Sequence, residues 1–261
     1  MRWALVLVVF GVFAVASAQE PAFEVASVKV AEGRANGLGS FVPGEARFNS
    51  SALWRIVPSA FGIPIPLWEL KVIPGPTIPP DLWRSRRFQI HGKGNPANDA
   101  RAMLLTLLKE RFGMRYHTEV RHVPIYALTV KKPGTLGPRL TETPHNCREF
   151  IARGGRRGDV DSPKLGDIEA CWPSGSREVG AGTISDLIER VAISATLAER
   201  PVIDATGLTG NFMWNVGITH VQGTMDPVFA AFEDQLGLKL EERTGPWEVI
   251  VIDDIRMPTP N

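Results

Sequence analysis

His117 and Glu119 stand two residues apart in MRYHTEV, a stretch whose alternation predicts a strand. That spacing puts both side chains on one face of the strand. An imidazole and a carboxylate have the types needed for general acid–base work, provided that both reach one reacting atom. A cross-strand ion pair on a solvated sheet accounts for the same two residues. His122 follows nearby, but a third metal ligand would have to come from elsewhere, so the sequence carries no metal motif and implies no cofactor. The later stretch LKLEER, which matches this place in a second run of elements, carries Glu241 and Arg243 without a histidine.

Other chemistry-bearing patterns are weaker. The chain contains no Gly-x-Ser-x-Gly elbow, no His-Glu-x-x-His and no phosphate-binding loop. Trp54 and Trp214 sit at core-facing periods, whereas Trp68, Trp83 and Trp172 lie beside prolines in expected loops. These three are candidates for an exposed aromatic platform that stacks on a sugar, and equally for plugs at the edge of a small core. Arg148, Arg153, Arg156 and Arg157 form a basic run that suits either an anionic polymer or a solvated loop. The balance leans away from an enzyme and toward an exported recognition or interaction module binding an envelope protein, a peptide or a glycan. The alternative is a secreted hydrolase of unrecognised type that uses His117 and Glu119.

The compartment follows from the ends and the cysteines. Residues 1–18 read as a signal peptide, with Arg2 ahead of an apolar run and small residues at Ala16 and Ala18. The run falls short of the roughly 20 residues that a spanning helix needs. No later segment is long and apolar enough either, so no membrane span is expected after cleavage. The net charge of +1 drops to about zero with loss of Arg2, which leaves no broad field for nucleic acid or anionic lipid. A secreted or periplasmic protein is expected. In that oxidising setting Cys147 and Cys171 are expected to form a disulfide. Closing that loop contributes about 3 kcal/mol in the chain-entropy model.

The elements that must position these residues appear in two runs. In the second half Thr183 can cap a helix through Leu187, Ile188 and Val191; RPVID and NFMWNVGIT read as strands, with Phe212, Trp214 and Val216 on one face. Asp226 and Pro227 open a second helix that Gly237 ends, and LKLEER and PWEVIVID read as a closing hairpin across Thr244-Gly245. The first half repeats this order: a helix from Ser51 interrupted by Pro58, strands at LKVI and RRFQIHG, a helix capped by Asn98 and ended by Gly113, and a hairpin of MRYHTEV and PIYALTV. The expected fold is α+β: two tandem copies of a helix-strand-strand-helix-strand-strand unit, with antiparallel sheets packed by helices. Its parts are the signal peptide 1–18, an N-terminal strand and loop 19–45, a first repeat 46–132, a Gly/Pro/Arg-rich connector 133–182 holding the disulfide, a second repeat 183–255 and a tail 256–261.

FEVASVKV behind the signal peptide, LLTLLKERFGMRYHTEVRHVPIYALTV, RPVIDATGLTGNFMWNV and FEDQLGLKLEERTGPWEVIVID together resemble the secreted soil-associated protein family of Acidobacteria, which is defined by a domain of unknown function. The resemblance covers almost the whole mature chain, and His117 and Glu119 match the family's His-x-Glu pattern. It implies an exported protein with no assigned activity. Some relatives carry the domain behind a membrane metallopeptidase of the sensor type, which implies extracytoplasmic recognition. Pro58 and the proline-rich stretch 74–80 depart from the family's pattern. The repeating units are also similar in architecture to the short N-terminal domain of secretins and TonB-dependent receptors.

Overall fold

The computed structural model describes residues 20–32, 39–172, 177–194, 200–218 and 226–259; the expected signal peptide lies outside them. The first half runs β1 (Val25–Ala31), β2 (Ser40–Val42), β3 (Glu45–Ser51), α1 (Leu53–Ala60), α2 (Trp68–Lys71), β4 (Val72–Pro74), β5 (Arg87–Lys93), α3 (Ala100–Arg111) and β6 (Arg115–Val130). The second runs β7 (Leu140–Thr143), α4 (Cys147–Ala152), β8 (Lys164–Leu165), β9 (Ile168–Glu169), β10 (Arg177–Gly182), α5 (Ile184–Ser194), β11 (Val202–Asp204), β12 (Asn211–Gly217), α6 (Asp226–Ala231) and β13 (Leu238–Asp254). The fold is mixed α+β.

Local signals place the helix ends. Thr183 and Asp186 form a reciprocal cap at the start of α5: the Thr183 hydroxyl oxygen accepts from the Asp186 N–H at 3.2 Å, and the Asp186 carboxylate accepts from the Thr183 N–H at 2.9 Å. For α3 the cap is Asp99, accepting from the Arg101 N–H at 3.0 Å, and not the expected Asn98. The carboxylate one residue later is the one in reach of the free first-turn N–H of Arg101. Gly113 and Gly237 follow their helices at φ +60° and +68°, the left-handed conformation that glycine adopts without a Cβ penalty. Pro58 sits within α1, which is only eight residues long.

Two outer sheets flank a central one. Their strand orders are β1-β5-β3-β2 and β10-β12-β7, with antiparallel pairing throughout; the central order is β11-β6-β13-β4. The central sheet is not wholly antiparallel as expected: β11 runs parallel to β6, and β4 parallel to β13. Nor do the two closing hairpins exist. MRYHTEV and PIYALTV are one unbroken strand, β6, which pairs along its length with the unbroken β13, from Leu238 opposite Val130 to Asp254 opposite Arg115. Gly245, the expected turn glycine, does not take a positive φ. Without that reversal the chain continues extended, and its ladder partners come from the other half.

Each half has its own core, and the long strands serve both. Phe48, Phe88, Ile90, Leu104, Leu108 and Phe112 of the first half pack with Ile252 and Ile255 from beyond the middle of β13. Leu128, from the end of β6, packs with Phe212, Trp214, Phe232 and Leu238 in the other core. The connector is pinned by the Cys147–Cys171 disulfide, with Cα atoms 5.1 Å apart. No helix among the described residues is long and apolar enough to cross a membrane.

Candidate functional site

The long ribbon carries His117 and Glu119 near the start of β6, where the neighbouring Tyr116 packs against the first core. His117 lies opposite Val251, so Asp253 is its diagonal neighbour on the same face. The His117 Nδ1 is 2.8 Å from Asp253 Oδ1, its Nε2 is 3.8 Å from Glu119 Oε2, and Glu119 bonds Arg121 in turn. The hydrogen bond to Asp253 raises the His117 pKa above its ordinary value, and that from Arg121 lowers the Glu119 pKa. The side chains of His117 and Glu119 are 49% and 40% exposed. They form an alternating charge row on an open sheet face. Among the described residues, no group of three or more His, Cys, Asp or Glu side chains is placed to hold a metal ion. Asp253 could not be found from the sequence, because it lies 136 residues away and meets His117 only through the long-range ladder.

The tryptophans expected as a platform are mostly core. Trp68 and Trp83 are 5% and 4% exposed, because the two short segments that carry them fold back on α1; the Trp83 ring joins the first core, and the Trp68 ring lies edge-on to Trp54 with centroids 6.2 Å apart. With Trp54 they border a crevice of about 70 Å³, far below the roughly 300–1,000 Å³ typical of ligand pockets. Trp172 is half-buried, edge-on to Phe150 with centroids 5.8 Å apart. The basic run is largely spent on internal contacts: Arg148 pairs with Asp186 and Glu189, Arg157 with Glu169, and Arg153 lies over the Phe150 ring.

A larger cavity of about 210 Å³ opens beside the disulfide, where α4 and α5 meet β10. Cys147, Cys171, Ile151, Ala181, Gly180 and Trp214 line its apolar side; Arg148, Asp186, Glu189 and Arg190 line its polar side. Each part has a local cause. The reciprocal cap with Thr183 fixes Asp186 in the first turn of α5, and Glu189 lies three residues on, along the same helix face. Arg148, in the first turn of α4, reaches both carboxylates, at 2.9 Å and 2.6 Å. Burial pushes the Asp186 carboxyl up, but hydrogen bonds from Thr183 and Arg148 outweigh it and leave the pKa lowered. Gly180 is opposite Trp214 in the ladder, and a Cβ there would collide with the indole. Trp214 was legible as a core residue; the Thr183-x-x-Asp186 box was the signal that could have pointed to the acidic side.

The chain matches no curated protein and no solved structure. A family model described as "Protein of unknown function (DUF3738)" matches residues 76–255, more than half of the 261 residues, and the chain belongs to that family.

Proposed function

We propose that this chain is an exported, non-catalytic recognition module whose ligand site is the cavity beside the Cys147–Cys171 disulfide. One observation carries the reading: the ionisable groups around the cavity are committed to one another. Arg148 bridges Asp186 and Glu189, and Arg190 lies 3.8 Å from Glu178. A general acid near neutral pH needs a raised pKa, and that of Asp186 is lowered. Such a site is suited to holding a ligand and poorly suited to moving protons. Export is supported by the leader-like residues 1–18 and by a disulfide of the kind that persists outside the cytosol.

The architecture comes, on this reading, from duplication. Two runs of helix, strand, strand, helix and long strand, within 46–132 and 183–255, flank the connector 133–182, and the flanking sheets share the order lead-in strand, strand after the short central strand, strand before the helix. The test is a turnover screen of the purified mature chain on peptides and envelope glycans. No saturable turnover is expected; turnover abolished by a single substitution would overturn the proposal.

A second reading, a secreted hydrolase at His117 and Glu119, has one observation behind it: Asp253 holds the imidazole as an orienting carboxylate would. It requires turnover that disappears in His117→Ala.

A further inference from the structure

β11 pairs with β6 only from Tyr126 to Leu128, so among the described residues no strand lies beside 115–125 on the side away from β13. Which groups point to that open edge follows from the neighbouring bonds. The Tyr126 N–H donates to the Pro201 carbonyl and the Leu128 carbonyl accepts from the Ala205 N–H, both outward, whereas the Lys131 N–H donates inward to the Gly237 carbonyl. The ladder to β13 keeps one register from Val130 back to Tyr116. With a period of two, Tyr116, Thr118, Val120 and His122 therefore turn their N–H and C=O groups to the open edge. Pro124 falls in the same set, where a missing N–H costs no bond to β13. Val120 is 61% exposed, and Thr118, Arg121 and His122 are exposed too. An edge of this kind is a template for another strand.

We infer that this edge joins two copies of the chain, β6 antiparallel to β6 about a twofold axis at Val120. Outward-turned residues must face outward-turned residues, so the axis of such a self-pair falls on a residue and not between two. On Glu119 or Arg121 it would set like charges opposite each other, and on Thr118 it would set Arg115 against Arg121. On Val120 it sets Glu119 opposite Arg121 of the second copy, on both sides of the axis, with no like charges opposed. Val120 is also the midpoint of 115–125, so this register uses the whole open edge before β11 of either copy is reached. Axes nearer the ends, at His117 or His122, leave a shorter overlap. The Val120 pair then exchanges both N–H···O bonds, as does Thr118 with His122 of the second copy. Glu119 and Arg121, bonded to each other within each strand, close into a ring of alternating charge across the axis. The contact consumes the same edge on both copies and stops at a dimer. The other long edge is guarded. On β13 the corresponding Glu241-x-Arg243 register would set Glu242 against itself, and Lys71 Nζ already donates to the Glu248 carbonyl at 2.9 Å.

The experiment is sedimentation equilibrium of the mature chain over about three decades of concentration, up to about 1 mM. A monomer–dimer equilibrium is expected. Glu119→Arg and Arg121→Glu, each alone, put like charges opposite each other and should raise the dimer dissociation constant at least about tenfold. Mixed in equal amounts, the two variants place arginine opposite glutamate on both sides of the axis and should associate about as tightly as the wild type. Hydrogen exchange supplies a readout that needs no variant: the outward amides of Thr118, Val120 and His122 should slow as concentration rises, more than the inward amides of Glu119 and Arg121. A chain that stays monomeric throughout overturns the inference, as does a dimer that the single reversals leave intact or that mixing fails to restore. Unchanged exchange at Val120 in a dimer overturns it as well, since another surface must then join the copies. None of these outcomes bears on turnover or on the cavity, so the recognition reading stands or falls separately.

Discussion

Val123 and Gly245 face each other near the middle of the ladder between β6 and β13. On either side the pairs interchange: Pro124 is opposite Thr244, and Pro246 is opposite His122. A Cβ on Gly245 would meet the tip of the Ile125 side chain at 2.5 Å, which can swing away. One on Gly237 would meet the backbone nitrogen of Gly137 at 2.5 Å, at φ +68°. Gly245→Ala is therefore expected to stay within about 1 kcal/mol of the wild type. Gly237→Ala should lose at least about 1–2 kcal/mol from the left-handed backbone alone. Urea unfolding of both variants checks the contrast, and equal losses would refute it.

Ile252 tests where β13 ends up. It is fully buried in the first core although it lies in the last strand of the chain. Ile252→Ala should cost about 2–5 kcal/mol. Hydrogen exchange should rise first in β5 and α3, and not in α6. If protection falls around α6 instead, β13 folds back into its own half.

Disrupting the disulfide reports on the connector. Replacing Cys147 and Cys171 together by serine should lower stability by about 3 kcal/mol, the chain-entropy value for a loop of this size. It should also loosen the cavity that both cysteines line. Melting of the wild type with and without reductant, beside the double variant, checks this; an unchanged melting temperature counts against it.

The exposed His117–Asp253 pair predicts a pH dependence. The folded-state pKa of His117 is raised above its ordinary 6.5, chiefly by the bond to Asp253. The contribution is therefore fully present below that ordinary value and lost as pH rises through the raised one. His117→Gln should melt below the wild type near about pH 5 and converge with it near about pH 8.5. A gap that grows with pH would contradict the assignment.

Buried Trp83 tests packing against the exposed-platform expectation. Trp83→Ala should cost about 3–5 kcal/mol by opening a hole in the first core. Urea unfolding measures the loss. A variant as stable as the wild type would restore the exposed platform.

Much of the fold was legible because its signals are local. Thr183 with Asp186, the left-handed Gly113 and Gly237, and the apolar faces of α3 and β12 depend on neighbours within a turn or two. The candidate site was far less so. His117 could be seen, but Asp253 could not. Trp68 and Trp83 beside prolines looked like exposed loop rings, since nothing near them in sequence records the α1 surface onto which they fold.

By itself, then, the sequence determined the cysteine pair, the α+β class and most element positions, all from composition and short-range spacing. Only the tertiary structure decided that β6 and β13 pair with each other over their whole length, that each enters the other half's core, and that Gly180 and Trp214 border one cavity. The reason is physical: a period of two fixes which face a strand side chain takes, and says nothing about which strand will lie beside it.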